Sequence, residues 1–264
     1  MNSNELNAGI RSGLEKFIRE NSQVKNLARK LNGGTATQAD VLKYAELLGN
    51  KASEMLSTAH ITQTVEVTTD MLPQAVKLEM QFTHSNINDF AAAVQKNIDK
   101  KQGVKLKAVT AEYPAERVDA LAQKIEDMIE KNDMEELAKL LGEPVKNINL
   151  SFVDDFIKAN AGARYAAGMQ TKIVRTPDAH ACRWCRNLAG TFNYESLPNN
   201  SDVYKRHDNC HCLVEFINGE YTQNVHTKAK TMLSTAAVKR LEAMAEPKKV
   251  TALALELLEE IAEG

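Results

Sequence analysis

Five residues of types that commonly bind metal ions lie within one short window of this 264-residue chain. Cys182 and Cys185 form a C-x2-C pair, and His207, Cys210 and Cys212 follow as an H-x2-C-x-C segment. All four cysteines of the protein fall inside this window. The C-x2-C spacing lets both sulfur atoms approach one ion to about 2.3 Å without straining the backbone. The pattern therefore predicts a metal clamp that joins two segments of the chain.

The mixture of donor types in the window favours zinc. Thiolate and imidazole ligands together suit Zn²⁺, and a structural zinc site is closed by four protein ligands, whereas a catalytic site keeps a position for water. Five candidates compete for four positions, so the sequence leaves open which four would bind. A redox-active dithiol or disulfide pair and a catalytic metal site are the alternative interpretations.

His211 is a sixth candidate ligand that the local pattern argues against. Residues 213–217 have the composition of a strand, and alternating side chains would place Cys210 and Cys212 on one face and His211 on the other. We also expect Trp184 to pack over the site. Lys205 and Arg206, beside the motif histidine, are expected to face solvent.

Composition and charge limit the classes of protein that this chain can represent. Apolar residues make up 43% and charged residues 26%, which is ordinary for a globular protein. The net charge of -2 gives no overall attraction to nucleic acid or to an anionic membrane. No apolar run approaches the roughly 20 residues that span a bilayer, and no secretory signal is visible at the N-terminus. We therefore expect the protein to have no membrane partner and to be made in the cytosol. In that reducing compartment, clustered cysteines favour metal binding over structural disulfides.

The spacing of apolar residues predicts a mainly α fold. Residues 6–31 carry apolar side chains every three or four positions and are expected to form one helical stripe that ends at Asn32. Thr35 or Thr37, with Gln38 or Asp40 three residues further on, predicts a capping box at the start of the next helix. More helices are predicted from residue 85 to about residue 102, after Pro114, and over residues 150–169.

Short segments with strand character complete the prediction. They cover residues 104–109, 173–174 and 213–217, with a hairpin turn at 218–219, whereas residues 61–72 could be a strand or an extended linker. The predicted organisation is a helical body at 1–150, a small α+β zinc-binding module with its lead-in helix at 151–225, and C-terminal helices at 226–264.

The cysteine window resembles the C-terminal motif of phage minor head, or head-morphogenesis, proteins of the Mu F type. In that family a C-x2-C pair followed by a Leu-x-Gly turn leads to an H-x-x-C-x-C segment. The residues that match are Cys182, Cys185, Leu188, Gly190, His207, Cys210 and Cys212. The resemblance covers residues 151–216, about a quarter of the chain. Asp208 stands where many members have proline and His211 where many have arginine, and neither difference removes a candidate ligand.

The resemblance implies a structural protein of the phage head and not an enzyme. It would be made in the cytoplasm of the bacterial host and would become part of the virion, in a larger assembly near the portal or the capsid interior. The implied partners are the portal, scaffold or major capsid protein, with packaged DNA as a further candidate. The alternative is a zinc-containing nuclease or effector enzyme carried in the head, for which His207, Asp208 and Asn209 form the one polar cluster in the window.

Overall fold

The computed structural model describes residues 3–62, 71–199 and 201–218. In these residues it contains eight α-helices and three β-strands, with two short 3-10 helices at Tyr194–Ser196 and Asp202–Tyr204. The helices are α1 (Ser3–Glu20), α2 (Ser22–Asn32), α3 (Gln38–Thr62), α4 (Met71–Gln102), α5 (Ala115–Glu130), α6 (Met134–Leu140), α7 (Glu143–Ala166) and α8 (Arg183–Asn187). The strands are β1 (Lys172–Thr176), β2 (Gly190–Asn193) and β3 (Leu213–Ile217). The predicted class, mainly α with a small α+β part, is confirmed.

The start of the chain forms two helices where the sequence predicts one continuous stripe. Asn21 adopts an extended conformation, and its side chain accepts hydrogen bonds from the backbone N–H groups of Gln23 and Val24. This is the N-cap geometry that begins a new helix, so the local polar side chain interrupts the apolar periodicity. Apolar residues on both sides of the break, such as Ile18 and Leu27, remain buried in the same core.

The predicted capping box is formed by Thr37 and Asp40 at the start of α3. The Asp40 carboxylate accepts from the backbone N–H of Thr37 at 2.9 Å, and the Thr37 hydroxyl accepts from the N–H of Asp40 at 3.4 Å. Lys30, in α2, donates to the same carboxylate at 2.6 Å. The reciprocal cap therefore also joins α2 to α3.

Two predictions about the middle of the chain are wrong. Helix α4 begins at Met71, well before Ser85, because buried residues such as Leu72 and Met80 extend its apolar face towards the N-terminus. Residues 104–109 do not form a strand. Instead, the N–H and C=O groups of Val109 are hydrogen-bonded by the side-chain amide of Asn160 in α7. A buried side chain thus satisfies the backbone groups that a neighbouring strand would otherwise pair.

The helices that follow agree with the sequence more closely. Helix α5 begins directly after Pro114, as predicted. Helix α7 begins at Glu143, with Pro144 in its first turn, and so includes the predicted helix from Leu150 almost to its end. Within the described part of the chain, no helix is both long and apolar enough to cross a membrane.

A single apolar core connects the helices to the sheet. Helix α7 packs along α3 and α4, and the buried rings of Tyr44, Phe90, Phe152 and Phe156 fill the space between them. The core continues without a break to Ile173 in β1 and to Val214 and Phe216 in β3. The three strands form one antiparallel sheet in the order β2-β1-β3. The strands predicted at 173–174 and 213–217 are therefore confirmed.

Polar contacts fix the sheet against the helical body. The Gln38 side chain accepts from the backbone N–H of Phe216 at 3.0 Å. Behind the same strand, a buried ion pair between Asp99 and Arg164 joins α4 to α7, and the guanidinium carbon of Arg164 lies 4.7 Å from the centre of the Phe216 ring. These contacts orient the cysteine-containing loops relative to α7.

The predicted division of the chain into three parts remains a prediction. Its first boundary, between residues 150 and 151, falls inside α7. The turn predicted at 218–219 extends beyond the described residues at Gly219, and the predicted C-terminal helices at 226–264 lie wholly outside them. Most of the segment at 61–72 also lies outside, between the end of α3 and the start of α4.

The closest approach of α3 and α7 occurs at Gly49 and gives a prediction about stability. A Cβ atom at this position would lie 3.0 Å from Cβ of Asn149 and 3.3 Å from Cα of Lys146. We expect Gly49→Ala to lower the free energy of unfolding by about 1 to 3 kcal/mol, because the two helix backbones would have to separate. Gly9→Ala in α1 is the matched control, since nothing lies within 4 Å of its added methyl group. The control should gain about 0.5 to 1 kcal/mol from helix propensity. Urea unfolding of both variants measures the difference, and equal effects would contradict the close approach.

Candidate metal centre

The first pair of cysteines is positioned by the short helix α8. Cys182 is the N-cap residue of this helix, and its sulfur accepts a hydrogen bond from the backbone N–H of Cys185 at 3.5 Å. The single turn that follows brings the Cys185 sulfur to the same side. Cys182 is exposed, whereas Cys185 is buried. This turn from Cys182 to Cys185, called the knuckle below, therefore presents one sulfur to the interior and one near the surface.

The second group of donors is positioned by a tight turn immediately before β3. Asn209 has a φ of 59°, a left-handed conformation that asparagine tolerates better than most residues. The backbone N–H of Cys210 donates to the carbonyl of His207 at 3.1 Å and closes the turn. This turn brings His207 and Cys210 back towards α8, with Cys212 buried beside them.

All five predicted side chains meet at one place, in two overlapping groups of three. Ligand atoms within 4.8 Å of one another form the groups Cys182, Cys185, His207 and Cys185, Cys210, Cys212. The His207 Nε2 atom lies 3.2 Å from the Cys182 sulfur and 3.0 Å from the Cys185 sulfur, and the sulfurs of Cys185 and Cys210 are 3.6 Å apart. Bond lengths of about 2.0 to 2.3 Å in a tetrahedral zinc site place neighbouring ligand atoms roughly 3.5 to 3.8 Å apart. The cluster could therefore hold a metal ion after only small movements of its side chains.

The histidine has the orientation of a metal ligand. Its Nδ1 atom lies 2.6 Å from the backbone carbonyl oxygen of Asp208, which leaves Nε2 directed at the two sulfurs of the knuckle. Ligating histidines characteristically donate their second ring N–H in this way, because the bond fixes the tautomer and the ring orientation. Trp184 packs edge-on against the imidazole with ring centres 5.6 Å apart, so it covers the site as the sequence predicts.

His211 lies outside both groups of donors, on the side that strand alternation predicts. Its Nδ1 atom is 3.9 Å from a carboxylate oxygen of Glu46. With Asn50, Asn147, Asn209 and other residues it lines a cavity of about 200 Å³ between α3, α7 and the turn. The Asp208 carboxylate, part of the polar cluster considered for a nuclease, accepts a hydrogen bond from Asn147 on α7.

The prediction that Arg206 faces solvent is wrong. The prediction that Lys205 faces solvent is confirmed. The Arg206 side chain is buried and forms a two-pronged ion pair with Asp154 of α7, with Nη2 and Oδ1 2.8 Å apart. Its Nη1 atom donates to the carbonyl oxygens of Cys210 and Cys212 at 3.1 and 3.0 Å. Burial alone would lower the pKa of Arg206, but the Asp154 carboxylate raises it, so the guanidinium stays charged. Arg206 therefore holds the cysteine turn against α7.

Arg175 is a second residue beside the cysteine cluster that the sequence analysis did not single out. It is 2% exposed, and its Nη2 atom lies 3.6 Å from the Cys185 sulfur and 3.5 Å from the Cys210 sulfur. Nη1 donates to the carbonyl oxygens of Val203 and Lys205. The alternation of side chains along a strand could have indicated its burial. Arg175 is two residues after Ile173 and so lies on the same buried face of β1.

The comparison with protein families gives a match over most of the chain. The model of the family described as VG15 protein matches residues 27–235, more than half of the chain. The chain belongs to the VG15 protein family. This is a family of viral proteins. No curated protein and no solved structure matches the chain.

The region of the family match contains most of the helical core and the whole metal-ligand cluster. It begins within α2 and extends past β3, so it includes all five candidate ligands and their supports Asp154, Arg175 and Arg206. The family assignment therefore applies to the cluster together with the helices that position it, whereas the resemblance to Mu F-type proteins covers a smaller part of the chain.

The pKa values of Cys182 and Cys185 are shifted in opposite directions, because a backbone hydrogen bond acts on one thiol and burial acts on the other. The hydrogen bond from the Cys185 backbone N–H lowers the pKa of Cys182. Burial raises the pKa of the Cys185 thiol to about 12. A thiol of this kind is protonated at neutral pH unless a cation replaces its proton, as a bound metal ion does.

The support that α7 gives to the cysteine turn leads to a second prediction. Asp154→Asn removes the carboxylate that neutralises buried Arg206, so we expect the free energy of unfolding to fall by about 3 to 5 kcal/mol. Asp155→Asn is the matched control, because the adjacent Asp155 pairs with Arg117 on the partly exposed side of the same helix. Its loss should cost less than about 1 kcal/mol. Denaturant unfolding measures both variants, and a small effect of Asp154→Asn would contradict a supporting role for the buried pair.

Proposed function

We propose that this protein is a structural minor capsid protein of a bacteriophage that acts in head morphogenesis, and that its cysteine and histidine cluster is a structural zinc site. The observation that carries the proposal is the convergence of five sulfur and nitrogen donors in a member of a viral protein family. The Mu F-type pattern of these donors supports the head-morphogenesis assignment.

The donor set supports zinc as the metal. Thiolate and imidazole groups are the usual ligands of structural zinc sites. Four of the five donors are enough to complete a tetrahedral coordination of the ion. A closed tetrahedron leaves no position for a catalytic water. His207 directs Nε2 at two sulfurs, so this nitrogen serves as a ligand and not as a free base.

In this proposal the metal ion stabilises the fold of the segment between β1 and β3. The regular structure described between β1 and β3 is a four-residue strand, the five-residue helix α8 and two 3-10 turns. Such a segment buries little apolar surface of its own, and a bound metal ion supplies folding free energy on the order of 10 kcal/mol in small zinc modules. Zinc would join the knuckle of α8 to the turn before β3, and Arg206 would fix both to α7.

The proposed location is the phage head, near the portal or the capsid interior. The proposed partners are the portal, scaffold or major capsid protein, with packaged DNA as a further candidate. The family assignment and the resemblance of the cysteine motif support this location. The continuous helical core offers a rigid body that could carry the contacts of such an assembly.

The zinc site is tested by a pair of single substitutions. We expect wild-type protein and His211→Ala to contain one zinc ion per chain, and Cys185→Ser to contain much less, because Cys185 belongs to both groups of donors. Limited proteolysis of Cys185→Ser should cut between β1 and β3 while the helical circular dichroism signal persists. Full zinc content and unchanged protease resistance in Cys185→Ser would show that the cluster is not a structural zinc site.

The assignment to the phage head is tested in particles. We expect mass spectrometry of purified virions to detect this protein at low copy number, and we expect a phage that lacks it to assemble defective heads. Its absence from both proheads and virions would overturn the assignment. Metal-dependent DNA cleavage that disappears in His207→Ala would favour the enzyme alternative instead.

A further inference from the structure

The buried charge of Arg175 bears on which ligands hold the metal. Its guanidinium lies between the sheet and the cysteine cluster, where Nη2 contacts the sulfurs of Cys185 and Cys210 at 3.6 and 3.5 Å. The guanidinium carbon is 5.6 Å from the centre of the Trp184 ring, which shields it from water on that side. A guanidinium in such a place needs a nearby negative charge, because burying an uncompensated cation is costly.

No carboxylate forms an ion pair with Arg175 in the described part of the chain. Asp154 interacts with it at longer range, but both carboxylate oxygens of Asp154 are bonded to Arg206. Asp154 and Arg206 neutralise each other, so the positive charge of Arg175 is not compensated by Asp154. The atoms available to compensate it are the two sulfurs that its Nη2 contacts.

A count of charges then separates the possible ligand sets. Zinc with three thiolates and a neutral imidazole carries one net negative charge, whereas zinc with four thiolates carries two. The positive charge of Arg175 balances the single negative charge of the first ligand set. The second set would keep one uncompensated negative charge in a buried environment. N–H···S contacts also require sulfur atoms that accept, which metal-bound thiolates do well.

We infer that the centre is a three-thiolate, one-imidazole zinc site in which Cys185, Cys210 and His207 are ligands, and that Arg175 is the positioning residue that balances its charge. The inference rests on the proposed zinc site and specifies its ligands. Either Cys182 or Cys212 supplies the third thiolate, and the other remains a neutral thiol. Strand β1 thus contributes to the centre through Arg175, without providing a ligand itself.

X-ray absorption of the zinc-loaded wild-type protein tests the ligand set directly. We expect three sulfur neighbours at about 2.3 Å and one nitrogen neighbour at about 2.0 Å. Of the four single Cys→Ser variants, one at Cys182 or Cys212 should keep tight zinc binding. Four sulfur neighbours, or tight binding by Cys210→Ser, would overturn the inference while leaving a structural zinc site in place.

Substitution of Arg175 tests its own role. Competition with a chromophoric chelator should show zinc binding weakened roughly 10- to 100-fold in Arg175→Met, because supporting residues of metal sites have effects of this size. Arg175→Lys keeps the charge and should lose less. Arg183→Met is the control, since this arginine of α8 is exposed. Circular dichroism shows whether each variant retains its helices.

The possible outcomes separate the two proposals. Wild-type protein that binds no zinc would overturn the zinc site and this inference with it. Wild-type protein that binds zinc tightly, together with equally tight binding by a folded Arg175→Met, would overturn the role of Arg175 alone. If Arg175→Met does not fold, Arg175→Lys and the absorption spectrum of the wild type decide, because neither depends on that variant.

Discussion

The buried ion pair between Arg206 and Asp154 is the contact on which the arrangement of the candidate metal centre depends. It joins the turn that carries His207 to the middle of α7, and the same guanidinium binds the carbonyl oxygens of Cys210 and Cys212. The turn has little apolar surface, so this ion pair, together with the hydrogen bond from Asn147 to Asp208, holds it against the helix. The hydrophobic core therefore sets where α7 lies, and α7 sets where the donors lie.

Two buried arginines have distinct functions around the cluster. Arg206 is neutralised by a carboxylate and acts through backbone carbonyl groups, so it positions the chain. Arg175 contacts sulfur atoms directly, so its charge acts on the donors themselves. Both residues lie within the part of the chain that matches a viral protein family. In the proposed head protein, metal, sheet and helical body would behave as one unit.

Several local patterns were reliable, although the N-cap at Asn21, which is also a short-range interaction, was not predicted. The capping box of Thr37 and Asp40 and the strand at Leu213–Ile217 form as predicted, because the pattern that predicts each is carried by residues close in sequence. Other predictions were wrong because a distant residue decides. Val109 satisfies its backbone with Asn160, and Arg206 meets Asp154, which lies 52 positions away in the chain. No local pattern encodes either partner.

The sequence by itself determined the mainly helical class and the five donors of one candidate site. Apolar periodicity and the spacing of cysteines are properties of neighbouring residues, so they can be recognised without a fold. Only the tertiary structure decided that His207 turns Nε2 towards the knuckle and that Arg175 lies buried against two sulfurs. These orientations depend on the register of β1 against β3 and on the packing of the sheet on α7, since burial and charge pairing are set by residues far apart in the chain.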